Sequence, residues 1–181
     1  EYAFSGCRSL TNVELPALKD MGDNAFMNCV SLERVYAINV SNLGKYAFEG
    51  CTSLKEYSSG NVKTIPIRCF AGCTALSEVT LETTETIEER AFQNCNSLKK
   101  VLINTIDSVG YLAFAGCSSL TSLEWAYIKS IGREAFAECI SLTRINLPNI
   151  VNIDQFAFCD CQMLDALIIS NADEVCIIMV P

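Results

Sequence analysis

Histidine is absent from this 181-residue chain. The chain therefore lacks the side chain that most often serves as a general base, as a proton switch near neutral pH and as a metal ligand. Basic residues are also scarce, because 13 Lys and Arg stand against 21 Asp and Glu, and a net charge of −8 argues against a nucleic-acid partner. No apolar run approaches the roughly 18 residues that a membrane-spanning helix requires. The composition thus excludes several functional classes before any motif is considered.

What the chain does contain is one sequence motif, Ala-Phe-x-x-Cys-x-x-Leu, that returns every 22 residues. A fixed period of this length is typical of solenoid proteins, in which successive coils stack on one another. The motif begins at Ala3, Ala25, Ala47, Cys69, Ala91, Ala113, Ala135 and Ala157. Residues that lie one period apart are therefore expected to form columns that run along the stack.

The phenylalanine column and the cysteine column are predicted to lie in the core. The first contains Phe4, Phe26, Phe48, Phe70, Phe92, Phe114, Phe136 and Phe158. The second contains Cys7, Cys29, Cys51, Cys73, Cys95, Cys117, Cys139 and Cys161. Because free Cys behaves as a small buried hydrophobe with a weak S–H donor, we expect free thiols in this column. Parallel Cβ vectors disfavour disulfides between its members.

Three further cysteines leave other chemistry open. Zinc binding by Cys69 with Cys73, or by Cys159 with Cys161, is a weaker alternative, since a zinc site needs about four suitably placed ligands. Cys176 is the candidate for a reactive or pairing thiol. No metal site is expected.

The periodicity within one coil predicts its local structure. Two apolar columns separated by one variable residue, as at Val35 and Ala37, predict a short strand with one buried face. The spacing of Ala, Phe and Cys predicts a single helical turn. The residue before Cys is Gly or Asn in the first six copies, which suits the left-handed conformation at the end of such a turn. Glu138 and Asp160 replace it in the last two, so their turns are expected to close differently.

A known family shares this pattern. The segment Leu98-x-x-Val101-x-Ile103 matches the Leu-x-x-Leu-x-Leu strand of leucine-rich repeats, whose repeat lengths of about 20 to 29 residues include the present one. The longer run from Ile131 to Pro148 resembles the BspA-like, or treponemal-type, leucine-rich repeat family. The resemblance implies a curved α/β solenoid in a secreted or surface-exposed protein that serves adhesion or host-protein binding. It does not imply a reaction.

The predicted fold is therefore an α/β leucine-rich repeat solenoid. It has eight right-handed 22-residue coils, each with a short parallel β-strand and a single helical turn. Residues 1–181 are expected to form a single domain. Because the chain opens partway through a repeat, we expect it to be a fragment of a longer repeat protein.

The candidate binding surface consists of the outward strand residues, because these positions vary from coil to coil while the inward columns do not. Tyr and Arg among them are favoured at binding hot spots. The predicted residues are Arg34, Tyr36, Glu56, Glu78, Lys100, Leu102, Glu124, Arg144, Asn146 and Ile168. We expect a protein or glycan ligand on this concave face. The alternative is that these are ordinary solvated strand residues.

The function that follows is a non-enzymatic binding scaffold, either extracellular or at the cell surface of a bacterium or protist. No catalytic residue and no cofactor are expected, since Ser and Thr lack a histidine that could activate them. A passive structural spacer and an intracellular protein-interaction module are the alternatives. The apolar segment 175–181 is expected either to continue into further chain or to contact another subunit. Neither nucleic-acid binding nor membrane insertion is expected.

Overall fold

The computed structural model describes residues 1–59 and 61–169 as a stack of short strands, two from each coil. The longer strands are β1 (Asn12–Glu14), β3 (Arg34–Tyr36), β5 (Glu56–Ser59), β7 (Glu78–Leu81), β9 (Lys100–Ile103), β11 (Ser122–Glu124), β13 (Arg144–Asn146) and β15 (Ala166–Ile168). The two-residue strands are β2 (Asp20–Met21), β4 (Asn42–Leu43), β6 (Thr64–Ile65), β8 (Thr86–Ile87), β10 (Ser108–Val109), β12 (Ser130–Ile131) and β14 (Asn152–Ile153).

The strands pair in parallel, and each residue lies beside the residue one period away. Val13 pairs with Val35, for example, and Leu123 pairs with Ile145. The longer strands form three sheets in the order β1–β3, β5–β7–β9 and β11–β13–β15. The short strands form two more, β2–β4 and β6–β8–β10–β12–β14. The predicted columns along the stack are confirmed by this register.

The phenylalanine column forms a continuous stack of rings in the core. From Phe4 to Phe158, neighbouring ring centroids lie 5.0 to 5.6 Å apart, with interplanar angles of 11° or less. The seven rings from Phe26 onward are at most 1% exposed. Burial of each aromatic ring contributes roughly 1.5 to 3 kcal/mol. Since no coil can cover its own rings, this stabilisation arises only from stacking.

The cysteine column supplies hydrogen-bond donors as well as apolar volume. From Cys29 to Cys161, each Sγ–H donates to the carbonyl oxygen of the phenylalanine in the preceding coil, at 3.0 to 3.3 Å. The ten cysteines of the described residues are all free. The column therefore holds adjacent coils together through hydrogen bonds rather than through disulfides. Cys176 lies outside the described residues.

The predicted helical turn is wrong, because residues 1–59 and 61–169 contain no helix. An α-helix would join each N–H to the carbonyl four residues earlier. Here the Phe92 N–H donates instead to the carbonyl of Ala113 in the next coil, at 2.7 Å. The residue before each Ala-Phe pair also has a positive φ, which breaks helical geometry. These residues are Tyr2, Asn24, Tyr46, Arg68, Arg90, Leu112, Glu134 and Phe156.

The fold is thus a parallel β-solenoid of about seven turns, not an α/β solenoid of eight coils. The prediction for the last two turns is also wrong. Glu138 and Asp160 adopt φ values of 60° and 57°, close to the 71° to 75° of Gly50, Gly72 and Gly116 at the same position. Two acidic residues therefore tolerate the left-handed conformation, at a cost of roughly 1 to 2 kcal/mol each.

Glycine occupies the bend before four of the motif copies, where the coils pack closely (Gly22, Gly44, Gly110 and Gly132). A Cβ atom on Gly44 would lie 2.3 Å from the backbone nitrogen of Asp23 and from the carbonyl carbon of Gly22. No side chain fits at that distance. At this position glycine allows the backbones of two coils to touch.

Candidate functional site

The strands place the ten predicted residues in two parallel rows, which together we call the strand face. One row contains Arg34, Glu56, Glu78, Lys100 and Arg144. The other contains Tyr36, Leu102, Glu124, Asn146 and Ile168. Nine of the ten side chains are exposed, and Asn146 is half-buried. Tyr36 is 53% exposed and Leu102 39% exposed, so the second row of the strand face presents large apolar side chains to solvent.

The charged side chains of the strand face form no ion pair among the described residues. Among the residues that the structure describes, six ion pairs form, and all of them lie outside the two rows. Lys55 pairs with Glu33 of the preceding coil at 2.6 Å, for example. In contrast, Glu56 and Glu78 lie side by side in register, an arrangement of like charges that destabilises a sheet. On its other side Glu78 lies in register with Lys100, so the row contains both a like-charge and an opposite-charge neighbour pair.

A first groove opens on the strand face between β3 and β5. Its volume is about 260 Å³. Exposed apolar side chains meet a pair of carboxylates here, since Ile38, at 48% exposure, extends the apolar patch that begins at Tyr36. The residues that define the groove are Arg34, Tyr36, Ile38, Glu56, Ser58 and Glu78.

A second groove of about 300 Å³ lies three coils away, between β9 and β11. Its charge balance is the reverse of the first, because two lysines face one glutamate. The residues that define it are Lys99, Lys100, Leu102, Asn104, Ser122 and Glu124. Both grooves therefore combine an exposed apolar side chain with unpaired charges, but of opposite net sign.

Both grooves coincide with gaps in the sheet, where β3 does not pair with β5 and β9 does not pair with β11. At the first gap, the backbone hydrogen bond from the Lys55 N–H to the Glu33 carbonyl oxygen is 3.3 Å long. The equivalent bond one coil further on, from the Ser77 N–H to the Lys55 carbonyl oxygen, is 2.9 Å long. At the second gap the corresponding bond, from Thr121 to Lys99, does not form between these described residues. Regular strand pairing is thus interrupted at these two places, while the phenylalanine rings stay stacked across both, with centroids 5.6 Å apart at the first gap and 5.0 Å apart at the second.

A bulky aromatic side chain lies in the core of the coil that follows each gap. Tyr57 of β5 occupies a column of Val, Leu and Ile, and its ring tilts against Phe48 and Phe70, with centroids 5.7 and 4.9 Å away. Trp125 follows β11 in a second apolar column and tilts against Phe114 and Phe136, at 5.8 and 5.9 Å. Both are 3% exposed. Each ring lies between the phenylalanine of its own coil and that of the following coil, so it packs on the side away from the gap.

The sequence profile of the BspA-type leucine-rich repeat region matches residues 1–99 and 85–176, in six copies. The chain belongs to the BspA-type leucine-rich repeat family. Among curated proteins, no sequence matches it significantly.

Solved structures of bacterial leucine-rich repeat proteins share this BspA-type fold. A leucine-rich cell surface protein from Faecalibacterium prausnitzii is 23% identical, with a TM-score of 0.63 over 96% of this chain and 63% of that one. For a leucine-rich repeat protein from Bacteroides ovatus the identity is 26% and the TM-score 0.61, over 90% and 49% of the two chains. A T. pallidum leucine-rich repeat protein is 26% identical, with a TM-score of 0.67 over 91% and 71%. The chain therefore spans less than two thirds of the first two proteins.

The cysteines of this BspA-type chain do not assemble a metal centre in the part that the structure describes, where no three His, Cys, Asp or Glu residues could hold an ion together. Burial raises the pKa of the Cys69 and Cys73 thiols far above their ordinary range. Desolvation also raises the pKa of Cys159, with Asp160, Glu134 and Glu138 adding to the effect. Because thiolates rather than thiols bind metals and attack electrophiles, these residues are poor ligands and nucleophiles.

Sequence reasoning missed the two grooves of the BspA-type solenoid, together with Ile38 and Lys99 at their edges. A signal was present, because Tyr57 and Trp125 are the only aromatic residues in their two columns. The same reasoning expected no membrane insertion. None of the described segments forms a helix with the length and apolarity to cross a bilayer.

Proposed function

We propose that this BspA-type chain is a non-enzymatic binding scaffold that is displayed outside the cell. In this proposal the strand face recognises a protein, or the glycan of a glycoprotein, in an adhesion or host-recognition role. The stacked core supplies rigidity, and the variable rows supply specificity.

The observation that carries the proposal is the contrast in charge between the two rows and the rest of the surface. Ion pairs join neighbouring coils away from the strand face, as between Lys129 and Asp107 at 2.8 Å. The charged residues of the rows stay outside such pairs, next to exposed Tyr36 and Leu102. Aromatic and Arg side chains on a rigid surface are the residues from which binding hot spots are built. Unpaired charges beside them would give selectivity for a complementary partner.

The proposed location outside the cell rests on similarity. The F. prausnitzii protein with the same fold is described as a cell surface protein. The chain is also compatible with either redox environment, since the thiols of the described cysteine column do not depend on disulfide formation.

The test compares the chain with a variant that carries Arg34→Ala, Tyr36→Ala, Lys100→Ala and Leu102→Ala. Each protein is immobilised and exposed to a panel of purified extracellular-matrix and serum glycoproteins, and binding is measured by surface plasmon resonance. We expect at least one panel member to bind the chain and to lose about tenfold or more in affinity for the variant, since truncation of hot-spot residues costs more than 1 kcal/mol each. Melting temperature and circular dichroism establish that the fold is intact.

A matched control removes Arg, Lys and Tyr, with Ile in place of Leu, from exposed turns away from the strand face. It carries Arg8→Ala, Lys45→Ala, Tyr127→Ala and Ile140→Ala. This variant should bind as the unchanged chain does. If both variants bind equally well, the strand face is not the recognition surface. If nothing in the panel binds, the result favours the passive spacer.

A further inference from the structure

We propose that the first groove binds a neutral sugar unit of a glycan. One face of the sugar ring lies on Tyr36, and its hydroxyl groups bind the carboxylates of Glu56 and Glu78. This inference rests on the proposed function and specifies the chemistry of the ligand. A sugar ring carries apolar C–H groups on its faces and hydroxyl groups around its edge, so its site must offer an apolar surface beside fixed polar groups.

The second row of the strand face forms a depression between two large side chains. Tyr36 and Leu102 are three coils apart, which is roughly 14 Å at about 4.8 Å per strand spacing. The residues between them in the row are Ser58 and Thr80, whose side chains are small. The first groove lies over these small residues at the Tyr36 end and has a volume of about 260 Å³. A volume just below the roughly 300 to 1,000 Å³ of drug-sized pockets suits about one or two sugar rings.

The Tyr36 side chain offers an aromatic face that the protein itself does not use. It is about half exposed, and it makes no ring stack or cation–π contact among the described residues. The face of an aromatic ring carries partial negative charge and attracts C–H groups. Ile38, which is also about half exposed, extends this apolar surface along the groove. One side of the groove therefore suits the apolar face of a sugar.

The charges along the first row balance one another, so the row suits a ligand without net charge. Arg34, Glu56, Glu78 and Lys100 occupy the row in four successive coils. Glu56 and Glu78 are in register, and so are Glu78 and Lys100. A cationic ligand would be repelled by the two basic residues and an anionic ligand by the two carboxylates. Neither kind of ion therefore gains from the row as a whole.

The side chains of the groove nevertheless present many hydrogen-bonding groups. The carboxylates of Glu56 and Glu78 accept, the guanidinium of Arg34 donates, and the hydroxyls of Ser58 and Thr80 can do both. Sugar hydroxyls also donate and accept, and hydrogen bonds to ionised groups are about twice as strong as those between neutral groups. Neighbouring hydroxyls of one sugar ring would thus bind the two neighbouring carboxylates.

The second groove lacks this combination of an exposed ring and paired carboxylates. Its exposed apolar side chain is Leu102, which is aliphatic. Trp125 also lines it, but that side chain is buried and presents no ring face to a ligand. Its carboxylate, from Glu124, has no acidic neighbour in register, since the next residue along the row is Asn146. The sugar site is therefore assigned to the first groove alone.

The experiment titrates the full chain with oligosaccharides that share a skeleton and differ in charge. The neutral N-acetylglucosamine trimer is compared with the cationic glucosamine trimer, and neutral lacto-N-tetraose with its anionic sialylated form. Maltotriose and cellotriose complete the neutral set. Isothermal titration measures affinity, and saturation-transfer NMR identifies the sugar face in contact with the protein.

We expect at least one neutral sugar to bind. Where that sugar has a charged counterpart, the counterpart should bind about tenfold more weakly or worse, because it meets like charges in the row. The affinity for the neutral sugar should change by less than about twofold between about 0.05 and 0.5 M NaCl, since its binding neutralises no charge.

Variants of the groove test the named contacts. Tyr36→Ala should weaken binding about tenfold or more, whereas Tyr36→Phe keeps the ring and should stay within about threefold. Glu56→Gln and Glu78→Gln keep the shape but lose the charge, so each should weaken binding about fivefold. Tyr127→Ala and Glu138→Gln are matched controls, because they change an exposed ring and an exposed carboxylate in turns away from the strand face. Both should bind as the unchanged chain does, and melting temperature and circular dichroism establish that every variant is folded.

Failure of every neutral sugar to bind would overturn the inference. So would binding that survives Tyr36→Ala, or a charged counterpart that binds as tightly as the neutral sugar. The glycoprotein panel judges the proposed function separately. If a glycoprotein that depends on the strand face still binds after enzymatic removal of its glycans, the proposed function stands and only this inference fails. If no glycoprotein depends on the strand face and no sugar binds, both fail.

Discussion

The first coil and a central coil contain the same core residues but differ in what surrounds them. Phe92 has no exposed surface and stacks between Phe70 and Phe114. Phe4 occupies the same position in the repeat, yet it is 44% exposed and stacks only on Phe26. Identical residues therefore contribute unequally, because the stabilisation belongs to the contact between coils and not to the coil itself.

The cysteine column shows the same difference between the first coil and a central coil. Cys95 is fully buried and donates to the Phe70 carbonyl at 3.1 Å, whereas Cys7 is exposed. In this chain a coil thus gains its full stability only with a neighbour on each side. Four predictions test this comparison, from the largest expected effect to the smallest.

High pH should unfold the chain by ionising the buried thiols. Burial raises the pKa of Cys51, Cys117 and Cys161 from 9.0 to about 12. The unfolded chain therefore loses these protons near pH 9, and the folded chain keeps them until about pH 12. Stability is fully present below pH 9 and falls by about 1.4 kcal/mol per thiol per pH unit above it. Urea midpoints at pH 8, 9, 10 and 11, followed by Trp125 fluorescence, measure the loss.

The variant that carries both Cys51→Ala and Cys117→Ala should show a smaller loss of stability with rising pH, because about two fewer protons are released on unfolding. Cys7→Ala is the matched control from the first coil and should not change it. A urea midpoint that stays constant from pH 8 to 11 would show that the thiols are not desolvated in the folded protein.

Truncation of a central ring should cost far more than truncation of the first ring. We expect Phe92→Ala to lower the free energy of unfolding by about 3 to 5 kcal/mol, the usual range for a buried aromatic residue. Phe4→Ala should lose less than about 2 kcal/mol, because part of its ring is already in water. Urea denaturation measures both. A loss below about 1 kcal/mol for Phe92→Ala, or equal losses for the two variants, would refute the comparison.

Removal of one thiol donor should have a moderate effect. Cys95→Ala leaves the Phe70 carbonyl without its bond to sulfur and opens a small cavity, so we expect a loss of about 1 to 2 kcal/mol. Cys95→Ser retains a donor and should lose less. Cys7→Ala should change stability by less than about 0.5 kcal/mol. The alternative, that the column matters only through its volume, predicts equal losses for the alanine and serine variants at Cys95.

Ion pairs between coils should contribute least. Lys55 and Glu33 are about half exposed, at 56% and 44%, so Lys55→Met should cost only about 0.2 to 1 kcal/mol. The loss should disappear at about 1 M NaCl, because exposed charges are screened there. Thermal melts at low and high salt measure this. A loss as large as that of Phe92→Ala would mean that surface charges, and not the ring stack, hold the coils together.

Much of the architecture could be predicted from the 22-residue period. A strict period leaves one way to align the coils, so the Phe and Cys columns, the parallel register and the outward rows followed from it. The helical turn was wrong because its conformation depends on contacts between coils rather than on the local sequence. Arg90 and Leu112 adopt positive φ, although neither residue type signals that conformation, and the cause lies in hydrogen bonds to the next coil.

The site was predicted less completely than the fold. The strand face follows from the alternation of strand residues, but the grooves lie where the sheet is interrupted, between β3 and β5 and between β9 and β11. Periodicity alone does not reveal where a sheet is interrupted. Binding by the ten residues of the strand face, the right-handed curvature and the single domain stay predictions. The apolar segment 175–181 lies outside the described residues.

The absence of any insertion between the motifs has an evolutionary consequence. A gene segment that encodes one coil can be duplicated or deleted without disturbing the contacts of the others, because every interface is alike. A coil gained between the two grooves would increase their separation by about 4.8 Å while leaving the residues that line each groove in place. Such a protein could acquire a new partner through a change in length alone, with no substitution at the residues that touch it.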